Sequence, residues 1–216
     1  MKSLPVLLLS DIKKINNSLE SVNFIDIEIY KGELKILEYN NREKILSFIN
    51  IILGLDIYYE GKYYINGMDV SGLKKKATRL VIGDSIFFTS DRYGLIHELN
   101  VIDNILLQLR WIVILNETNK KKVISALKNM GLLHVTSRRI RELSPYELLQ
   151  LLLLIAILKK NEIIIIDLIL NDYIYNELKL NINHLLNFLK ENNMSLLLIK
   201  KMDIDITENK LSIING

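Results

Sequence analysis

Three short stretches hold the side chains whose types and spacing could do chemistry. The run IIIID at 163–167 is apolar until it ends in Asp167, so one carboxylate stands at the tip of a buried segment. The stretch YNNREKILS at 39–47 holds two cations, Arg42 and Lys44, and a hydroxyl, Ser47, around Ile45 and Leu46. Those cations could offer charge to a phosphate, although a solvated loop is the plainer reading. The stretch LSPYE at 143–147 is a good helix start, with Ser144 as N-cap, Pro145 at the first helical position and Glu147 completing a capping box. Other chemistries are poorly served. There is no cysteine, hence no disulfide, thiolate metal site or cysteine nucleophile, and His97, His134 and His184 are too scattered to form a ligand cluster.

The elements that must position these residues follow from periodicity. Short β-type runs fill the first third, at 5–9, 23–29, 33–37 and 62–66, and 23–29 alternates apolar and polar residues as a half-buried strand does. After 34–37 comes an expected loop at Glu38 to Lys44, then a helix over 45–55 ending at Gly54. Helices are expected at 100–114 and at 119–130, where Val123, Leu127 and Met130 share a face before Gly131. Another follows Ser144. The strand at 162–167, a helix near 175–192 and the strand SLLLIK at 195–200 complete the pattern. Continuous apolar runs alternating with helices point to parallel strands buried on both faces, and so to an α/β fold with antiparallel strands at its N-terminal end.

The chain's 216 residues suit one well-buried domain. Half of them are hydrophobic and a quarter charged, the balance of an ordered globular protein. Lys and Arg exceed Asp and Glu by 28 − 25 = +3, and the tracts Lys74–Lys76 and Lys120–Lys122 read as solvated helix or loop faces. No signal peptide is expected from the first residues. The oily stretch Leu148 to Leu158 is far below the roughly 20 residues of a membrane-spanning helix. The chain is therefore expected to be soluble and to reach a membrane only through a partner.

Several landmarks then agree in order and spacing. KGE at 31–33, LGLD at 53–56, EGKYYINGMDV at 60–70, LNVIDNI at 99–105, NMGLL at 129–133, LSPYE at 143–147 and IIIID at 163–167 together resemble the nucleotide-binding domain of ATP-binding-cassette (ABC) transporters. The likeness around 79–104 is closest to the branch serving lipoprotein release, macrolide efflux and cell division. The resemblance implies a single domain over 1–216 with the P-loop NTPase-like ABC ATPase fold. That fold has a mainly parallel sheet core, an N-terminal antiparallel β subdomain and a helical subdomain at about 92–160.

Carried over residue by residue, the resemblance implies a degenerate site. The family's P-loop, GxxxxGK[ST], curls backbone N–H groups around phosphates and adds a Lys and a magnesium-binding hydroxyl. Here Tyr39, Arg42 and Lys44 stand at glycine positions, Ile45 at the Lys position and Leu46 at the hydroxyl position, with Ser47 at the following Thr. Side chains with a Cβ resist positive φ, so the cradle should be distorted. Asp91 falls at the family's magnesium-sensing Gln, where a carboxylate could touch a metal but would repel phosphate near a nucleotide that lacks its Lys, so a structural role is expected for it. Asp167 matches the Walker B Asp, Leu168 replaces the general-base Glu, and Lys201, between Lys200 and Met202, replaces the switch His. Leu143, Ser144, Pro145, Tyr146 and Glu147 occupy the LSGGQ signature, where Pro145 has no N–H to give and Tyr146 adds bulk. The following LLQLLLLIAIL should make an unusually apolar helix.

These substitutions imply a non-catalytic subunit bracing or coupling to a membrane permease and paired with a second ABC ATPase subunit in a homo- or heterodimer. It would sit at the cytoplasmic face of the membrane, peripherally. No resident cofactor, metal or nucleic acid is expected, with ATP and magnesium at low affinity as the open alternative. Two other readings stay in view: a slow ATPase using Arg42, Lys44, Asp91 and Asp167, and a soluble scaffold protein with the ABC fold. The stretch LLQLRWIVIL at 106–115, with Trp111, could line the groove for a permease's coupling helix, and core packing explains it equally well.

Overall fold

Alternation of apolar side chains along a few strands sets the architecture. The computed structural model describes residues 4–15, 21–90, 94–109, 117–168, 180–201 and 212–215. One sheet is antiparallel. It joins β1 (Leu7–Ile15), β2 (Ser21–Asn23), β3 (Ile27–Ile29), β5 (Glu60–Ile65) and β6 (Met68–Asp69) in the order β2-β1-β5-β6, with β3 also on β1. The second sheet is parallel, in the order β10-β4-β9-β8-β7, from β4 (Leu34–Tyr39), β7 (Ile86–Ser90), β8 (Ile163–Asp167), β9 (Ser195–Lys201) and β10 (Ser212–Asn215).

The single strand expected over 23–29 is split. Asp11 takes a positive φ of 54° in the middle of β1, and the ladder to β5 shifts register between Ser10 and Lys13. A bulge of this kind bends the strand and interrupts pairing. β2 therefore pairs with one half of β1 and β3 with the other, while Asp26 accepts the Asp11 N–H at 2.8 Å.

Among the described residues six α-helices pack around the parallel sheet: α1 (Arg42–Ile52), α2 (Lys75–Ser85), α3 (Val101–Gln108), α4 (Glu117–Asn129), α5 (Pro145–Lys159) and α6 (Ile182–Glu191). Successive strand residues point to opposite faces. Ile163, Ile165, Leu197, Ile199 and Leu37 join one apolar layer with α1 and the antiparallel sheet. Ile164, Ile166, Leu196, Leu198 and Ile36 join the other, with α3, α4, α5 and α6. Gly54 ends the α1 segment with φ +63°, and a Cβ there would meet the Ile82 Cδ1 at 2.8 Å, so helix α2 can close over it only because it is glycine.

Two expectations need correction here. The loop expected from Glu38 to Lys44 is mostly absent: β4 runs to Tyr39 and α1 begins at Arg42. Asn41 caps that helix and Glu43 sits in its first turn, both of which favour an early start. Helix α2 is an element that periodicity missed, because Lys74 to Lys76 begin it with cations at the positive end of the helix dipole and no side-chain cap.

Helix α5 is buried on every side. Leu151 through Ala156 are six consecutive buried residues, more than one full turn, so no face is left to solvent along that stretch. Each buried Leu or Ile contributes about 2 kcal/mol against exposure.

Candidate functional site

The strand–turn–helix unit at 34–52 is the first part of the site. Only Asn40 and Asn41 separate β4 from α1. The Asn41 side chain accepts the Lys44 N–H at 2.9 Å, and the Ile45 N–H donates to the Asn41 carbonyl at 3.1 Å. Both amides are thus spent within the helix. A phosphate cradle instead needs successive N–H groups turned toward the ligand. None of residues 39–47 has positive φ. Ile45 is 4% exposed and packs in the same layer as Phe48, whose ring stacks on Phe24 at 4.9 Å. Leu46 faces outward, and Arg42 is exposed. The Ser47 hydroxyl accepts from the Lys14 ammonium at 3.4 Å, and that ammonium also pairs with Asp56 at 2.5 Å. Burial alone would raise the Asp56 carboxyl, but Lys14 and the Tyr58 N–H outweigh it and hold the pKa below the ordinary value.

Asp167 ends β8, 5% exposed, on the same sheet face as Leu37 and Tyr39. Tyr39 is itself buried. Its hydroxyl pKa is raised, first by burial and then by the negative charge of Asp167, with Arg42 acting in the opposite sense. The tyrosine and the carboxylate therefore share one face at this end of the sheet, on β4 and β8 with β9 between them. Leu168 is buried and its N–H donates to the Ile199 carbonyl at 2.8 Å. Asp167 and Leu168 line a cavity with Thr89, Ser90, Leu95 and His97. Lys201 closes β9 and is exposed. Asp91, Trp111 and Met202 lie outside the described residues.

The 143–147 segment stands apart from both. Ser144 caps α5, and the capping box is complete: Glu147 N–H donates to Ser144 Oγ at 3.2 Å and Ser144 N–H donates to Glu147 Oε2 at 2.7 Å. The other oxygen of Glu147 meets His134 Nε2 at 2.9 Å and Arg138 Nη1 at 3.3 Å. An internal carboxylate thus sits at the helix N-terminus, where an anion is favoured. Tyr146 lines a groove with Met130, His184 and Phe188.

Burial alone would raise the Glu147 carboxyl, but the Ser144 N–H, His134 and Arg138 outweigh it and keep the pKa below the ordinary value. A depressed folded-state value means that the contribution is complete above the ordinary carboxylate range and is lost as pH falls through the depressed value. Glu147→Ala is expected to cost about 1 kcal/mol at neutral pH. The gap in urea midpoint between wild type and variant should narrow on acidification; a gap that widens would contradict the assignment.

Sequence reasoning missed three features of this region. The Phe24–Phe48 stack joins residues far apart in the chain and has no local signal. Asn104, fully buried, carries a set of four hydrogen bonds that only the folded loop at 94–100 creates. Lys200 and Glu38 are both buried, and neither could be paired before the strand order was known.

No protein-family model matches the chain. It is 24% identical over 152 residues to the macrolide export ATP-binding/permease protein MacB of Vibrio parahaemolyticus, an alignment covering 70% of this chain and 23% of that protein. This chain therefore spans only about a quarter of MacB. It is 25% identical over 163 residues to the uncharacterized ABC transporter ATP-binding protein YknY of Bacillus subtilis, covering 74% of this chain and 71% of that one. Among solved structures, it matches the ADP conformation of MJ1267, an ATP-binding cassette of an ABC transporter. The TM-score is 0.72 at 20% identity, over 94% of this chain and 84% of that one.

Proposed function

We propose, from the premise that this chain is a nucleotide-binding domain of the ABC-transporter type, that it serves a transporter as a non-catalytic subunit. It braces a transmembrane permease, pairs with a second cassette subunit, holds no resident cofactor, and neither grips nor hydrolyses ATP. The observation that carries this reading is the closed turn at 39–45. Its Lys44 and Ile45 amides are consumed inside α1, and an isoleucine side chain is buried where an ammonium would have to reach phosphate.

Other features support the same reading. Leucine at 168 cannot accept a proton, and loss of a general base removes about 10²–10⁴ in rate. The signature-like helix carries its own carboxylate at its N-terminus, leaving a partner's phosphate less room and adding repulsion. Among the described residues no helix is long and apolar enough to cross a membrane. Membrane attachment in this reading comes from the permease.

The test is direct binding of ATP with magnesium to the purified chain, by calorimetry and thermal shift, with turnover measured alongside. The expected result is no saturable heat, no shift in the unfolding midpoint and no phosphate release. Micromolar, magnesium-dependent binding would overturn the reading and favour the slow ATPase built on Arg42, Lys44, Asp91 and Asp167. Co-purification with a permease from detergent-solubilised membranes is expected. Recovery solely from the soluble fraction would instead favour the scaffold protein.

A further inference from the structure

The side of α2 that faces away from the core is cationic. Thr78 and Ile82 form its inner side: both are buried, and both would touch a Cβ placed on Gly54. With 3.6 residues per turn, Leu80 then stands opposite that side, with Lys76 and Arg79 beside it. Lys74, Lys75, Lys76 and Arg79 are all exposed, and Leu80 is 61% exposed among them. Among the described residues none of these four cations takes part in an ion pair. The loop that follows Gly54 adds two more exposed apolar side chains, Leu55 and Tyr58. Asp56 lies between them in the chain and feels the charge of Lys75, but it is already paired with Lys14 at 2.5 Å. Asp84, at the far end of α2, is the only carboxylate on that helix.

This arrangement works against the helix itself. Lysines crowd the positive end of its dipole, no acidic residue lies in the first turn, and no side chain caps it. An anionic surface laid against that end offsets both the crowded charge and the open helix start. The apolar side chains then decide which kind of anion fits. A strongly acidic, hydrated chain gains from the cations but offers nothing to Leu80, Leu55 or Tyr58. A membrane surface meets both needs, because its headgroups take the cations and the boundary beneath them takes leucine and tyrosine.

We propose that the outer side of α2, together with Leu55 and Tyr58, makes a direct contact with anionic lipid headgroups. The contact rests on the part of the functional reading that sets this chain against a membrane, and it adds to the attachment made by the permease. Lys74, Lys75, Lys76 and Arg79 supply the long-range attraction, and Leu80 sets how deeply the helix seats.

The experiment is sedimentation of the full purified chain with vesicles of phosphatidylcholine alone or of phosphatidylcholine with about 30% phosphatidylglycerol. Binding is expected to the anionic vesicles and not to the neutral ones, and it should fall about tenfold or more between about 0.1 M and 0.5 M salt. Lys74→Gln, Lys75→Gln and Lys76→Gln together should weaken it about 100-fold, since each cation at an anionic leaflet contributes about fivefold. Lys120→Gln, Lys121→Gln and Lys122→Gln remove the same charge from exposed positions on α4 and should change binding less than about twofold. Leu80→Gln leaves the charge unchanged and should weaken binding about fivefold. All the altered side chains are exposed, so the unfolding midpoints should not fall, and that of the α2 triple variant should rise slightly as the helix start loses its opposing charge. Equal losses from the two lysine triples, equal binding to both kinds of vesicle, or no binding at all would overturn the proposal. Leu80→Gln binding as tightly as wild type would assign the patch to a purely electrostatic partner and overturn it as well. Failure to co-purify with a permease would sink the functional reading while the vesicle result stood, and failure to bind vesicles would leave the permease reading intact.

Discussion

Replacing Asn104 with alanine is expected to lower the unfolding midpoint by roughly 10 °C, among the largest losses from any single polar truncation in the chain. Asn104 is fully buried on α3. Its Oδ1 accepts the Ile96 N–H at 2.7 Å, and its amide nitrogen donates to the carbonyls of Ile96, Leu99 and Asn100 at 2.9, 3.2 and 3.0 Å. A side chain serving one donor and several acceptors ties the loop at 94–100 to the helix. Alanine would leave the Ile96 N–H without its acceptor, at about 1–3 kcal/mol, and would remove the fill of a fully buried side chain, while the carbonyls of Ile96, Leu99 and Asn100 keep the backbone N–H groups of Leu99, Ile140 and Asn104. Asn104→Asp separates this cause from simple loss of volume. It keeps the acceptor for Ile96 N–H but turns negative oxygen toward carbonyls, so it should be no more stable than alanine. An aspartate variant as stable as wild type would show that the amide donors contribute nothing.

The second large effect concerns an attempt to build a phosphate site into the 39–47 turn, where the proposed function has none. Ile45→Lys supplies the residue type that the resemblance to ABC cassettes calls for at this position, yet the expected outcome is a loss of about 3 kcal/mol or more and no gain in ATP binding. Ile45 lies in the layer formed by Tyr39, Phe48, Leu37 and Ile199. An ammonium there is set among apolar side chains, with the Asp167 carboxylate on the same sheet face, and must either bury its charge in the layer on the way to that carboxylate or force α1 outward. The amides that would accompany it in a cradle remain bonded to Asn41. The measurement is thermal unfolding of the variant with and without ATP and magnesium. A ligand-dependent rise in its midpoint would show that one side chain, rather than the early start of the helix, is what closes the site.

How much of this was readable beforehand depends on the range of the interaction. The strands at 163–167 and 195–200 were legible because burial on both faces leaves an uninterrupted apolar run. The capping box at 144–147 was legible because all its bonds lie within four residues. The early start of α1 was not legible from periodicity: the apolar pattern begins at Ile45 and so puts Glu38 to Lys44 in a loop, whereas Asn41 as a cap starts the helix at Arg42. Features that join distant segments left no local trace. The kink at Asp11 that divides 23–29, the Phe24–Phe48 stack and the Lys14 bridge to Ser47 and Asp56 all depend on which strands meet, which periodicity does not encode.

The helix whose every face is apolar also bears on how the chain comes off the ribosome. LLQLLLLIAIL at 148–158 is made before β8 and β9, whose alternate residues join the same cluster. At synthesis rates of about 5–20 residues per second, the segment waits seconds for its cover to emerge. During that interval it presents a greasy cylinder to the cytosol, with the hazards of self-association and of capture by chaperones. A chain truncated just after α5 should therefore be insoluble, and the yield of the intact protein should depend on how quickly residues 163–199 follow.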